Sequence, residues 1–222
     1  YAGPGTFAFF TVMIIPFLYG IYLTFTNWNG VSDAHNFIGF QNYKEVFKDG
    51  VFWNSLWLTF KYAIAAVILM NVIAFLLAYA LTSGMKGQNF YRAGFFTPNL
   101  IGGIILGFIW QFVFSNILVY LGNNFNIPIF SSSWLADPNK ALWTLIIVTV
   151  WQYSGYLMII YVAGFMNVPS DILEAASIDG ANGFRKLISI TLPMMIPSFT
   201  VCLFLSLQRS FMVYDVNLSL TK

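Results

Sequence analysis

Long, nearly uncharged apolar runs constrain this chain more than any other feature it has. They lie at about residues 6–26, 53–81, 90–114, 141–166 and 188–214. A bilayer's hydrocarbon core is about 30 Å thick and an α-helix rises about 1.5 Å per residue, so about 20 apolar residues make one crossing. The runs are continuous, whereas barrel strands would alternate with a period of two. In lipid a helix also satisfies its own backbone hydrogen bonds, one segment at a time. The expected fold class is all-α, a polytopic transmembrane helical bundle with five spans present.

Composition points the same way. Of 222 residues, 8% are charged and 59% are hydrophobic, against about 25% charged in a typical soluble domain. Ten basic and eight acidic side chains cannot cover a soluble protein of this size, which also excludes a disordered chain and a nucleic-acid binder. The net charge of +2 indicates no polyanionic partner. The single cysteine, Cys202, allows no internal disulfide and reads as a small buried hydrophobe. His35 has no second imidazole or cysteine cluster to join, so no metal site is expected. The first run lacks a basic leader and does not read as a cleaved secretory signal.

The connections differ. Residues 27–52 are polar, with a turn at Asn29-Gly30. There Phe40, Tyr43, Val46 and Phe47 recur at helical spacing beside Lys44, Glu45 and Lys48, which predicts a short interfacial helix. Residues 83–89 form a short link, and residues 115–140 a longer one with a helix break at Pro128. Lys86, Arg92, Arg185 and Lys186 fall on one side of the membrane, and Lys44, Lys48, Lys140 and Lys222 on the other. The count is a tie, but the first set sits in shorter connections, which favours that side and the N-terminal end as cytoplasmic. Trp28, Trp53, Trp134 and Trp143 would then belt the opposite interface.

Residues 167–187 carry a helix of their own. Pro169 keeps the residue before it out of the helical region, so the fourth span ends there. Ser170 or Asp171 can cap a new helix, Asp171 and Glu174 have capping-box spacing, and Gly180 can close it in a left-handed turn. Such a helix is either an interfacial connector or a docking element. In docking, Ala175 and Ala176 would let a partner backbone approach, and Glu174 and Asp179 would offer charge-assisted hydrogen bonds.

Polar residues inside the runs are the second lead, because burying them in lipid is costly. Ser206, Arg209, Ser210 and Asn217 fall on one helical face, with Tyr214 beside it. Arg209 at mid-bilayer would cost about 2.5–3.5 kcal/mol and must face protein or water. Trp151, Gln152, Tyr153, Ser154, Gly155 and Tyr156 form an aromatic-polar cluster, which suits a saccharide path or packed aromatics with satisfied polar tips. Gly103 and Gly107 suit close helix packing, Asn71, Asn99 and Gln111 suit bridges between helices, and Pro98 bends or starts the third span.

The loop resembles the signature of ABC importer permease subunits. It has Glu174-Ala175-Ala176, then Gly180, then Ile190, Leu192 and Pro193 at that family's spacing. Ile178-Asp179-Gly180-Ala181 and Thr191-Leu192-Pro193 are similar to the carbohydrate branch, of maltose and multiple-sugar type. So are Tyr22 to Trp28, Phe37 to Tyr43, and Phe95-Phe96-Thr97-Pro98.

The resemblance implies a type I permease fold in which the whole chain is one permease domain. A sixth span is expected after Lys222 and missing here, and a cytoplasmic coupling helix falls at about 170–181. It implies Glu174, Ala175, Ala176, Asp179 and Gly180 as the ATPase-coupling site, on a helix moving as one rod with the spans. Trp151, Tyr153, Tyr156, Ser206, Arg209, Ser210 and Tyr214 are expected along the substrate path; of these the resemblance carries Trp151, Tyr156 and Ser206, which match sugar-contacting positions of the maltose permease, whereas Arg209 is not typical of the family. The partners would be a second permease subunit, a cytoplasmic ATPase dimer, an extracellular substrate-binding protein and the lipid bilayer of a bacterial cell membrane. No catalytic residue, metal or cofactor is expected on the chain, which has no GxxxxGK[ST] phosphate loop, so ATP and magnesium would bind the partner subunits. The cargo would be a sugar or oligosaccharide; the alternative is an acidic sugar or other anion paired with Arg209.

Overall fold

The computed structural model describes residues 2–31 and 36–220, so His35 and Lys222 lie outside the described residues. The chain divides into two compact units between Leu58 and Thr59.

In the first unit, α1 (Gly3–Leu23) is a candidate span that buries none of its residues. It is apolar on every side, as suits a helix that crosses a membrane. The polar connection after it is tied by side chains. Asn42 donates to the carbonyls of Thr24 and Thr26 at 2.9 and 2.8 Å, and the hydroxyls of Tyr43 and Thr24 pair at 2.7 Å. The Phe25 ring packs against Phe37, Phe40 and Tyr43. A helix is present there as α2 (Gln41–Lys48), and the Asn29-Gly30 turn has Gly30 at φ +85°.

The second unit is built around long helices. α3 (Gly50–Thr82) runs into it and buries Tyr62, Ala66, Met70, Ala74 and Ala78, every fourth residue, as one stripe. Small residues on that stripe let neighbouring backbones come close. Next come α4 (Gln88–Phe96), α5 (Gly103–Asn124) and α6 (Pro138–Met166). α6 is the most buried of these helices, with residues such as Ile146, Leu157, Met158 and Tyr161 fully enclosed. Asp137 caps it by accepting from the backbone N–H of Asn139 at 2.9 Å.

Two expected spans are redrawn. The apolar run at 90–114 is not one helix: Thr97–Leu100 is a 3-10 turn, Ile101 and Gly102 are extended, and the crossing helix starts at Gly103 and continues to Asn124. Pro98 cannot donate a backbone N–H, and Gly102 favours leaving the helix. The connection expected at 115–140 therefore begins only after Asn124.

The fifth run is bent by 67° between α8 (Gly183–Met194) and α9 (Ile196–Phe211). Pro193 and Pro197 flank the bend at Met195, and each removes a helical donor. The chain leaves the helix again after Phe211, and α10 (Tyr214–Leu220) is separate. Tyr214 and Asn217 thus do not continue the face of Ser206, Arg209 and Ser210.

The two glycines of the third span do serve close packing, against α10. Gly103 lies under Asp215 and Val216, and a Cβ on Gly107 would run into Ser219.

Candidate functional site

Between α6 and α8 lies α7 (Ser170–Ile178). Its N-cap position is Pro169 and no side chain caps it, so the expected Ser170 or Asp171 cap is not made; Ser170 donates to the neighbouring Asp171 carboxylate at 3.3 Å. The closing turn is as expected. Gly180 has φ +78°, its N–H donates to the Ser177 carbonyl at 3.1 Å, and the Ala181 N–H donates to Ala176 at 2.9 Å. These are the two bonds of a Schellman turn.

Asp171, Glu174, Ala175, Asp179 and Gly180 are exposed, and Ile178 is 87% exposed. Ala176 is turned inward, so of the two alanines Ala175 alone faces out. Leu173 and Val168 pack on the core. Helix α7 is not continuous with either span, being set off by Asn167 to Pro169 on one side and Asp179 to Asn182 on the other. Lys186 reaches back across the second break and donates to the Ser177 hydroxyl at 2.6 Å. A cavity of about 540 Å³ lies beside α7, lined by Tyr79, Thr82, Ser83, Leu173 and Lys186 among others. It brings the 83–87 link and the α7 loop to the same end of the unit.

Within the spans, a polar seam joins α3, α6 and α9. Asn71 donates to the Ser206 hydroxyl at 2.8 Å and accepts from the Tyr161 hydroxyl at 2.8 Å. Tyr62 donates to Thr149 at 2.9 Å. Cys202, Ser206 and Ser210 line the buried edge of α9, where small side chains permit close approach to α6. Ser206 and Ser210 are fully buried, and both donate within their own helix, to Leu203 and to the Ser206 carbonyl.

Arg209 donates to the Gln152 side-chain carbonyl at 3.0 Å, and its guanidinium lies 5.6 Å from the centre of the Tyr153 ring. That is cation–π range. Tyr153 and Tyr156 are neighbours, with ring centres 5.2 Å apart. The structure therefore gathers Arg209, Tyr153 and Tyr156, and places Ser206 and Ser210 behind them in the seam. Trp151 is on another face of α6. It meets Trp110 edge-on at 5.4 Å and lines an apolar cavity of about 670 Å³ with Leu69, Phe95, Trp143 and Gly155. Tyr214 is 71% exposed on α10.

Two residues were missed as site residues from sequence, Asn71 and Gln152. Asn71 was read as a bridge between helices, a signal that does not identify the bridge's ends, and Gln152 as one member of the aromatic-polar cluster, a signal that does not identify its partners. Among the described residues, no group of three or more His, Cys, Asp or Glu lies together in a way that could hold a metal.

Residues 70–221 match the family described as binding-protein-dependent transport system inner membrane component. The chain is 41% identical over 221 residues to the probable starch degradation products transport system permease protein AmyD of Thermoanaerobacterium thermosulfurigenes, covering 100% of this chain and 75% of that one. It is 32% identical over 206 residues to the multiple sugar-binding transport system permease protein MsmF of Streptococcus mutans, covering 93% and 71%. The fold is similar to that in the crystal structure of a bacterial ABC transporter involved in the import of the acidic polysaccharide alginate. The TM-score there is 0.77 at 18% identity, over 96% of this chain and 77% of that one.

Proposed function

The chain belongs to the family of inner membrane components of binding-protein-dependent transport systems, and from that premise we propose that it is one permease subunit of a bacterial ATP-binding-cassette importer for a sugar or oligosaccharide. The whole chain acts as one multi-pass permease domain in the cell membrane. An extracellular binding protein delivers the cargo, a second permease subunit completes the path, and a cytoplasmic ATPase pair drives it. ATP and magnesium bind those ATPases and not this chain.

The observation that carries this reading is α7, a short exposed helix held between two long spans with Glu174 and Ala175 facing outward. In this reading Glu174, Ala175, Asp179 and Gly180 seat in the ATPase, and Ala176 ties the helix back to the spans. Because α7 is broken from the spans at both ends, it cannot act as one rod with them. Movement passes instead through Leu173 and Val168, which pack on the core of the spans, and through Lys186 on Ser177. Packed interfaces transmit such a push as rigid-body rocking, which alternates access to the path. Arg209, Tyr153 and Tyr156 line that path, with the aromatic rings for the C–H faces of a sugar and the guanidinium for its hydroxyls.

Arg209 is already engaged by Gln152 and Tyr153, and the relatives are named for starch products and multiple sugars. A sugar cargo therefore fits better than an anion paired with Arg209.

The test is co-purification of the permease with its ATPase subunits, wild type against Glu174→Lys, with import of labelled malto-oligosaccharides into proteoliposomes carrying the complete importer. Glu174→Lys is expected to lose the ATPase and the import while the permease still folds. Retention of both would refute the coupling role.

A further inference from the structure

Gln152 is 2% exposed in the middle of α6. We propose that Gln152 is a positioning residue of the translocation path, one that holds the Arg209 guanidinium against the Tyr153 ring. What passes the site rests on the sugar-import reading; the holding itself rests on geometry.

An amide side chain has one donating and one accepting end. The carbonyl of Ile101 can only accept and a guanidinium can only donate. Gln152 gives its Nε2–H to Ile101 at 2.9 Å and takes Arg209 on Oε1 at 3.0 Å. With unlike partners at its two ends, the amide has one satisfied orientation. The Ile101 carbonyl is on offer because the chain leaves the helix there, with ψ 125° at Ile101 and 143° at Gly102. The break that displaces the third span therefore anchors a side chain of the fourth, which in turn anchors a cation of the fifth.

Arg209 keeps further N–H donors beyond the one given to Gln152, beside the Tyr153 ring, whose centre lies 5.2 Å from that of Tyr156. Donors and ring faces together match the hydroxyls and C–H faces of a saccharide. Without Gln152 the long Arg209 side chain would regain its rotamer freedom.

The test compares wild type, Gln152→Met and Gln152→Glu in the complete importer. Methionine keeps the volume and offers Arg209 no strong acceptor; glutamate keeps the acceptor but opposes the Ile101 carbonyl. The first readout needs no cargo: the rate of phenylglyoxal modification at Arg209, followed by mass spectrometry with exposed Arg185 as the reference. Gln152→Met is expected to react about tenfold faster than wild type, the worth of one hydrogen bond to a charged group, and Gln152→Glu to stay protected. The second readout is malto-oligosaccharide import, where Gln152→Met raises KM by a similar factor with a smaller change in maximal rate, and Gln152→Glu recovers part of it. A merely structural role predicts the opposite order, with glutamate the worse of the two because of Ile101. Equal Arg209 reactivity in all three proteins, or glutamate as reactive as methionine, overturns the proposal. If wild type imports no malto-oligosaccharide, the cargo reading fails, and the phenylglyoxal rates still decide the holding role.

Discussion

Replacing Asn71 by alanine is expected to loosen three spans at once. The amide joins α3 to α6 through the Tyr161 hydroxyl at 2.8 Å and to α9 through the Ser206 hydroxyl at 2.8 Å. Both partners are fully buried. Ser206 keeps its own donation to Leu203 at 3.1 Å, so it loses little. Tyr161 loses its acceptor in a dry setting. Interhelical hydrogen bonds in membranes average about 0.6 kcal/mol and reach about 1.7, and a buried donor left without its partner costs about 1–3 kcal/mol. Two such bonds give a loss of about 1–3 kcal/mol. At about 2–4 °C per kcal/mol for a chain of this size, the midpoint falls by about 2–12 °C. The assay is thermal unfolding in detergent micelles, run as a double-mutant cycle with Tyr161→Phe. Removing the hydroxyl as well takes away the orphaned group, so the double variant is expected to be less destabilised than the sum of the singles. An additive cycle, or an unchanged midpoint in Asn71→Ala, would refute the reasoning.

Two glycines make further tests. A Cβ at Gly155 would run into the Phe95 carbonyl, so Gly155→Ala should force α4 and α6 apart and cost about 1–3 kcal/mol, read as a lower unfolding midpoint. Gly180 is open around its Cα but sits at φ +78°. Gly180→Ala should therefore cost about 1 kcal/mol, leave the spans folded and weaken ATPase binding several-fold in a pull-down titration.

How far the sequence reached depended on the range of the interaction. The α7 helix was legible because its punctuation is local: Pro169 stops the preceding helix and Gly180 supplies the left-handed turn, whatever the rest of the chain does. The missing Ser170 or Asp171 cap was not legible, since both residue types suit capping and only the backbone path decides whether they reach. The third span was misplaced because apolarity continues through Phe95, Phe96, Leu100 and Ile101. Hydropathy does not distinguish a helix from the 3-10 turn and extended step that Pro98 and Gly102 impose there. Asn217 was grouped with Arg209 by helical spacing, which fails where the helix ends at Phe211. In the aromatic-polar cluster, residue type was informative and direction was not: Tyr153 meets Arg209, while Trp151 turns to Trp110.

The amino-acid sequence alone settled that the chain crosses a membrane as helices and that one crossing pair is joined by a short helix of its own, because lipid solvation and turn conformation act on neighbours along the chain. Which polar groups face one another was left to the tertiary structure. Gln152 finds Ile101 and Arg209, and Asn71 finds Tyr161 and Ser206, across distances in sequence that no periodicity spans. Away from water, each such donor and acceptor has to be met by another helix, and the packing of the small-residue stripes decides which one.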